Sequence, residues 1–391
     1  MNKRLLVLGR QVCRQSGQEP PSLRLLVVSA IHGHKSKGNY SQEISARKLH
    51  TFKRKNARAL GDPENRGSRQ SGVNFDVLGS WNHRINTSLD IEQSIKRGKP
   101  IPQIALENVA TASMTGRRKS NEDRVQVQKL SPNLLYFAMF DGHGGPEAAD
   151  YCHEHLHERI LYWSEREHDL QNVLKISFIE TNNMLSRYLY FRHLAEGTHE
   201  ITNTGTTATV CLIRNNEELV VGHVGDSPAL LCREDHVVRL TDDHSPDVTA
   251  EVERIKKHKG LISYNSLGKP TVNGRLAMTR SIGDFEFKPY GVTAEPDTRS
   301  LEIKHGKDAF LILTSDGVNF VVSDQEIIDI VINCNSPKEG ANLVADQALQ
   351  FGSDDNVTTL IVPFGAWGKY ANSARAVPYS FGRNIMTTRY S

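Results

Sequence analysis

One stretch limits what this chain can fold into more than any other. Seven apolar or aromatic residues, Leu134 to Phe140, stop on Asp141-Gly142-His143-Gly144-Gly145. A run of that length with no breaker inside predicts a buried strand. Ending it on Asp puts a carboxylate at the sheet edge, and the glycines let the backbone approach a ligand closely. A single Asp-Gly or Gly-Gly is also ordinary turn punctuation. The weight therefore falls on whether other carboxylates are placed the same way.

They are. Asn121-Glu122-Asp123 precedes a strand beginning at Val125, and Gly225-Asp226-Ser227 follows an apolar run ending at Val224. Asp316-Gly317 follows another run, Phe310 to Thr314, and Asp354-Asp355-Asn356 sits just before the last strand. Carboxylates gathered on one rim repel one another and are costly unless a cation neutralises them. Oxygen ligands accompanied by one histidine and no cysteine suit Mg or Mn rather than zinc. A two-metal site bridged by Asp141 would hold its ions roughly 3.5–4 Å apart and generate hydroxide near neutral pH.

The remaining pattern predicts strands at 125–129, 134–140, 206–213, 218–224, 228–233, 237–240, 309–314 and 357–363. Helices are predicted at 146–164, 170–191, 249–258, 324–333 and 337–351. Ser323 with Glu326 forms a capping box, and Ser336 with Glu339 forms another that carries Pro337 at the first helical position. Strands cluster, with paired long helices between the clusters, so strict β-α alternation is absent. That favours an α+β fold of antiparallel sheets covered by helices over a doubly wound parallel sheet.

Charge divides the chain. Residues 1–60 hold 13 Lys/Arg against Glu19 and Glu43 and carry +11, which leaves −8 on the rest of a chain of net charge +3. Scattered arginines, serines and apolar residues with almost no acids predict a mitochondrial presequence at 1–60, removed on import. Residues 61–103 read as a linker and an arm that Trp81 and Ile85 could anchor, 104–370 as the folded domain, and 371–391 as a disordered tail. No apolar run approaches membrane-spanning length. The five cysteines show no Cys-x-x-Cys spacing, which argues against both a disulfide framework and a zinc knuckle. Nucleic-acid binding is disfavoured, because the basic residues concentrate in the removable head. His153, His155 and His157 beside Cys152 resemble a metal cluster, but nothing completes a zinc shell, so they predict a polar helix face.

Taken together, Arg118-x-x-x-Glu122-Asp123, Asp141-Gly142-His143-Gly144-Gly145, Gly205-Thr206-Thr207-Ala208, Gly225-Asp226-Ser227, the run Gly274 to Asp284, Ser315-Asp316-Gly317 and Asp355-Asn356 resemble the metal-dependent type 2C Ser/Thr protein phosphatases. The resemblance implies a central antiparallel β-sandwich flanked by helices on both faces, four layers in all. It implies two Mg2+ or Mn2+ ions bridged by Asp141, helped by the Gly142 carbonyl, by Glu122 and Asp123 directly or through water, and by Asp316 and Asp355. A metal-bridging hydroxide would attack phosphorus, Arg118 would hold the phosphate, and His143 would protonate the departing Ser/Thr oxygen. The stretch 241–267 lies where such enzymes carry a flap.

Segments 99–102, 106–109, 254–257, 265–268 and 363–370 are similar to a mitochondrial branch of the family. That implies a matrix phosphoprotein as substrate, such as the branched-chain 2-oxoacid dehydrogenase complex. Two departures stand out. Pro228 replaces an arginine after Gly-Asp-Ser and predicts an edge strand or a bulge. Phe320 stands where members with a weak third metal place Asp, which puts Asp226 in doubt as a ligand. Two alternatives remain at this stage: a non-catalytic phosphoprotein-binding scaffold that keeps the fold, and an enzyme acting on small phosphate esters.

Overall fold

The computed structural model describes residues 101–197, 203–266 and 268–371. The presequence-like segment, Trp81 and nearly all of the arm, and the tail after 371 lie outside these residues. In chain order the strands are β1 (Ala110–Met114), β2 (Arg124–Ser131), β3 (Leu134–Phe140), β4 (Gly142–His143), β5 (Gly205–Thr206), β6 (Ala208–Arg214), β7 (Glu218–Val224), β8 (Ala229–Arg233) and β9 (His236–Arg239). There follow β10 (Ile262–Tyr264), β11 (Pro270–Val272), β12 (Ile282–Gly283), β13 (Asp297–Glu302), β14 (Asp308–Thr314) and β15 (Val357–Pro363). The helices are α1 (Glu147–Ser164), α2 (Leu170–Glu196), α3 (Thr249–Lys257), α4 (Asp316–Asn319), α5 (Asp324–Ile332) and α6 (Pro337–Gln350).

Two five-stranded antiparallel sheets form the centre, ordered β1-β15-β14-β8-β9 and β13-β7-β6-β3-β2. Side-chain alternation divides each central strand between two cores. From β3, Leu135, Phe137 and Met139 pack with Cys211, Val221, Leu231, Leu311 and Leu360, drawn from both sheets. Tyr136, Ala138 and Phe140 face the other way, against Leu156, Ile160, Leu174 and Phe178 of α1 and α2. On the second sheet, Phe310, Ile312 and Ile361 meet Ile328, Val331, Val344 and Ala345 of α5 and α6. Three cores separate four layers, helices over sheet over sheet over helices. The α+β expectation is met, and strands buried on both faces explain why β3 and β14 read as unbroken apolar runs.

The first capping box forms, the Glu326 carboxylate accepting from the Ser323 amide; at the second only half does, Ser336 Oγ accepting from the Glu339 amide while the Glu339 carboxylate accepts from the Asn335 amide rather than from Ser336. Pro228 differs from expectation. It is neither on an edge nor at a bulge, because β8 runs between β14 and β9 and begins one residue later, at Ala229. The missing N–H therefore falls outside the ladder, while the Pro228 carbonyl still accepts from the Thr314 amide at 3.3 Å. The cysteines 211 and 232 are core thiols. Of the histidines on α1, His157 hydrogen-bonds Gln126 and His155 packs on Tyr151. Among the described residues no helix is long and apolar enough to cross a membrane.

Candidate functional site

Antiparallel register brings the predicted residues to one end of the sandwich. Phe140 pairs with Arg124, so Asp141 and Asp123 leave their strands side by side. Ala208 pairs with Val224, which sets Gly225-Asp226-Ser227 beside Thr207 and the Asp141 backbone. In the other sheet Met114 pairs with Val357 and Thr314 with Thr359, so Arg118, Asp316 and Asp355 emerge at that same end.

Hydrogen bonds cross between the sheets there. The Asp316 amide donates to Asp141 Oδ2 at 3.3 Å, and Thr358 Oγ1 donates to Asp123 Oδ2 at 2.6 Å. Ser227 Oγ reaches the same Asp141 oxygen at 3.5 Å. Asn356 ties the loop between β1 and β2: its Nδ2 donates to the Thr115 and Ser120 carbonyls, and its Oδ1 accepts from the Glu122 amide. Arg118 donates to Asp355 Oδ2 at 2.6 Å, while Asp355 Oδ1 accepts from the Asn356 amide.

Electrostatically the rim is strained. Desolvation, then the charges of Asp316, Asp123 and Asp226, push the Asp141 carboxyl well above the usual range. Asp316 is pushed up to about 8 by desolvation and by Asp226, Asp355 and Asp123. Asp226 rises to about 6, through desolvation and the charge of Asp243. Asp123 is also raised, chiefly by desolvation. Two of these acids keep a buried oxygen with no hydrogen-bond partner among the described residues, Asp123 Oδ1 and Asp226 Oδ1.

A hard divalent cation fits this donor set. It would use the orphaned oxygens and relieve the repulsion, and every donor is a carboxylate, a carbonyl or water. Among the described residues no three acidic, histidine or cysteine groups already converge tightly enough to close a metal shell. The N–H and O–H donors named above hold several carboxylate oxygens instead.

His143 has a partner that sequence reasoning missed. Its Nε2 lies 2.8 Å from Asp284 Oδ2, which also accepts from Ser281 Oγ at 2.5 Å. β5 brings them together: Gly205 pairs with His143 on one side and with Gly283 on the other. A Cβ on Gly205 would collide with both Asp284 Oδ2 and His143 Nε2, so the glycine keeps that space for the pair. Desolvation would lower the His143 pKa, but the charge and hydrogen bond of Asp284 outweigh it, and the net shift is upward. His143 Nδ1 is buried with no hydrogen-bond partner among the described residues. The signal for Asp284 was the run Gly274 to Asp284, which carries neither helix nor strand periodicity.

The stretch predicted as a flap contains α3 and the β10–β11 hairpin. Its root is a charge network. The Arg254 guanidinium grips both Glu251 oxygens, at 2.6 and 2.5 Å, and Arg280 reaches Glu251 Oε1 at 2.8 Å. Thr279 Oγ1 also bonds Glu251. Arg280 continues to Asp297 at 2.5 Å, and Asp297 meets His244 Nε2 at 3.1 Å. His244 Nδ1 in turn accepts from the amide of Gly225, the neighbour of Asp226, at 3.1 Å.

Comparison with known proteins places the chain in a family and agrees with its fold. Residues 107–357 match the family model described as protein phosphatase 2C. The chain is 47% identical over 314 residues to "Protein phosphatase 1K, mitochondrial" of Xenopus laevis, an alignment spanning 80% of this chain and 83% of that one. It is 34% identical over 268 residues to "Protein phosphatase 2C homolog 1" of Saccharomyces cerevisiae, covering 63% of this chain and 88% of the other. The crystal structure of serine-threonine phosphatase 2C from Toxoplasma gondii superposes with a TM-score of 0.58 at 22% identity, covering 66% of this chain and 94% of that one, a likeness of fold.

Proposed function

Since this chain belongs to the protein phosphatase 2C family, we propose that it hydrolyses phosphoserine and phosphothreonine in proteins, at the rim formed by Asp141 and Asp316 and with divalent cations. The observation that carries the reading is the set Asp123, Asp141, Asp226 and Asp316, whose carboxyls are all pushed upward by desolvation and by neighbouring carboxylates, Asp355 acting on Asp123 and Asp243 on Asp226. Two Mg2+ or Mn2+ ions would be held by Asp141, the Gly142 carbonyl, Asp316 and Asp355, with Glu122 and Asp123 directly or through water. Bound cations supply a deprotonated water near neutral pH and offset phosphoryl charge.

The chain's own groups do the rest. Arg118 exchanges its contact with Asp355 for the phosphoryl oxygens, to which a guanidinium fork is matched. Asp284 accepts a hydrogen bond from the Nε2–H of His143 and fixes the ring, leaving Nδ1 to hand its proton to the departing Ser/Thr oxygen. The P–O bond to the side chain breaks as the water oxygen joins phosphorus, and no phosphoenzyme is required.

The basic segment 1–60 and the mitochondrial relative support a place in the mitochondrial matrix, with 1–60 removed on import. In this division 61–103 is the arm, 104–370 the phosphatase domain and 371–391 a tail. The segments 99–102, 106–109, 254–257, 265–268 and 363–370 support the branched-chain 2-oxoacid dehydrogenase complex as the phosphoprotein partner. The scaffold alternative would be expected to have lost Asp141, Asp316 or Asp355, and all are present.

Phosphate release from a phosphoserine peptide of that complex tests the reading, run in EDTA, Mg2+ and Mn2+ beside Asp141→Ala. Release that needs both the cation and Asp141 is expected. No release by folded protein with any cation would favour the scaffold.

A further inference from the structure

Asp141 would bridge the cations, and its place rests on two hydroxyls. Thr207 Oγ1 accepts from the Asp141 amide at 3.1 Å, and Ser227 Oγ lies 2.8 Å from that hydroxyl and 3.5 Å from Asp141 Oδ2. Ser227 belongs to the turn Gly225-Asp226-Ser227, so the setting of Gly225 decides where its hydroxyl stands. Gly225 takes a φ of +104°, which favours glycine, and a Cβ there would lie 2.5 Å from the Thr207 side chain. Two stacked imidazoles, those of His223 and His244, lie beside it. The Gly225 carbonyl accepts from the His244 amide at 2.8 Å and from His223 Nε2 at 3.0 Å. The Gly225 amide donates to His244 Nδ1 at 3.1 Å.

We infer that His244 is a positioning residue for turnover, one that acts through Gly225 and Ser227 on Asp141. This rests on the phosphatase reading above and extends it to a residue of the flap root. Because Nδ1 accepts from a backbone N–H, the ring carries its proton on Nε2, and Asp297 Oδ2 accepts from that Nε2–H at 3.1 Å. The ring is thereby pinned at both nitrogens, one by the turn and one by the flap root. The main chain of His244 is fixed as well, its carbonyl accepting from the Thr279 amide at 2.8 Å and from Thr279 Oγ1 at 3.0 Å. A misplacement of about 1 Å at a reacting centre can cost about a hundredfold in rate, so a residue that sets the turn beside Asp141 can govern turnover.

Steady-state kinetics of the full chain with a phosphoserine peptide, at saturating Mn2+ and well below the melting temperature, compare wild type with His244→Leu and His244→Asn. His244→Leu leaves the Gly225 amide unpaired, whereas in His244→Asn the side-chain oxygen takes nearly the place of Nδ1. For His244→Leu kcat is expected to fall about a hundredfold with KM within about twofold, and His244→Asn recovers most of the loss. Hydrogen exchange at the Gly225 amide of the metal-free protein reads the same bond without turnover: slow in wild type and His244→Asn, faster in His244→Leu. Asp297 is mostly exposed, so its variants carry the test if the buried His244→Leu fails to fold. Asp297→Ala releases Nε2 and should lower kcat about tenfold, while Asp297→Asn, which gives up the same charge beside Arg280 but keeps an acceptor, stays within about twofold of wild type. A residue that only stabilises the fold would lower the melting temperature in these variants and leave kcat alone, which would overturn the inference. Equal losses of kcat in His244→Leu and His244→Asn, or in the two Asp297 variants, would overturn it too. Absent turnover by the wild type overturns the phosphatase reading and this one with it. Turnover by the wild type with kcat unchanged in every variant overturns this one alone.

Discussion

Two groups of carboxylates are linked through Gly225, and they solve the same electrostatic problem in opposite ways. At the rim, Asp123, Asp141, Asp226 and Asp316 are pushed toward the protonated form. At the flap root, desolvation would raise Glu251 as well, but Arg254, Arg280 and Thr279 bond both of its oxygens and bring it down to about 2. Asp297 is likewise held well below the usual range, by His244 and Arg280. The root carries its own cations in covalent form, and the rim has fewer than its charge requires. Burial alone therefore does not mark a functional carboxylate. What marks it is burial without a matching cation in the chain.

Removing one rim acid gives the largest contrast. Asp316→Ala is expected to lower kcat by about three orders of magnitude or more, as for loss of a principal electrostatic group. In EDTA the variant should melt no lower than wild type, because it has shed a repelling charge. Mn2+ should stabilise the wild type by about 2.7 kcal/mol at a hundredfold excess over Kd, and the variant far less. Kinetics and thermal melts in parallel check this, and an active variant would remove Asp316 from the site.

At the root the sign reverses. Glu251→Ala leaves Arg254 and Arg280 facing each other without their shared anion, a loss expected to cost about 3–5 kcal/mol. Urea unfolding of the metal-free protein measures it. A loss below about 1 kcal/mol would mean that the root is a solvated surface cluster and that the contrast with the rim is false.

How much of this was legible in the sequence follows from which interactions are local. Strands buried on both faces and helices with proper caps announce themselves through apolar runs and through residues such as Ser336 and Pro337, so β3, β7 and β15 were found to the residue. β1 and β13 were missed: they lie at sheet edges, and residues such as Asp297, Arg299 and Ser300 show no apolar run. The rim aspartates were legible because each ends or begins a strand. Asp284 was not, since its meaning depends on β5 carrying His143 and Gly283 on its two sides. Pro228 misled, because one residue decides whether its missing N–H lies inside the ladder.

The smallest effect is also the one that separates the two groups most cleanly, through pH. Glu251 has its pKa lowered from 4.5 to about 2, so its contribution to stability is present above the unfolded value and is lost as pH falls through 2. Asp226 and Asp316 are raised from 3.8, to about 6 and about 8, so the folded metal-free protein holds protons that the unfolded chain has released. Their effect is a loss of stability as pH rises from about 4 to about 8. His143, raised above 6.5, acts in the same direction, since its contribution is lost as pH climbs through its folded pKa. In EDTA the chain should therefore be most stable in mildly acid solution, at about pH 4–5, and decline on both sides. Saturating Mn2+ should flatten only the alkaline decline, because cations replace the protons at the rim and leave the arginines at the root untouched. Each 1 kcal/mol of the alkaline decline should lower Tm by about 2–4 °C in a domain of this size. Calorimetric scans across pH 4–8.5, with and without Mn2+, resolve that difference. Parallel curves would mean that the rim holds its charge without help from cations.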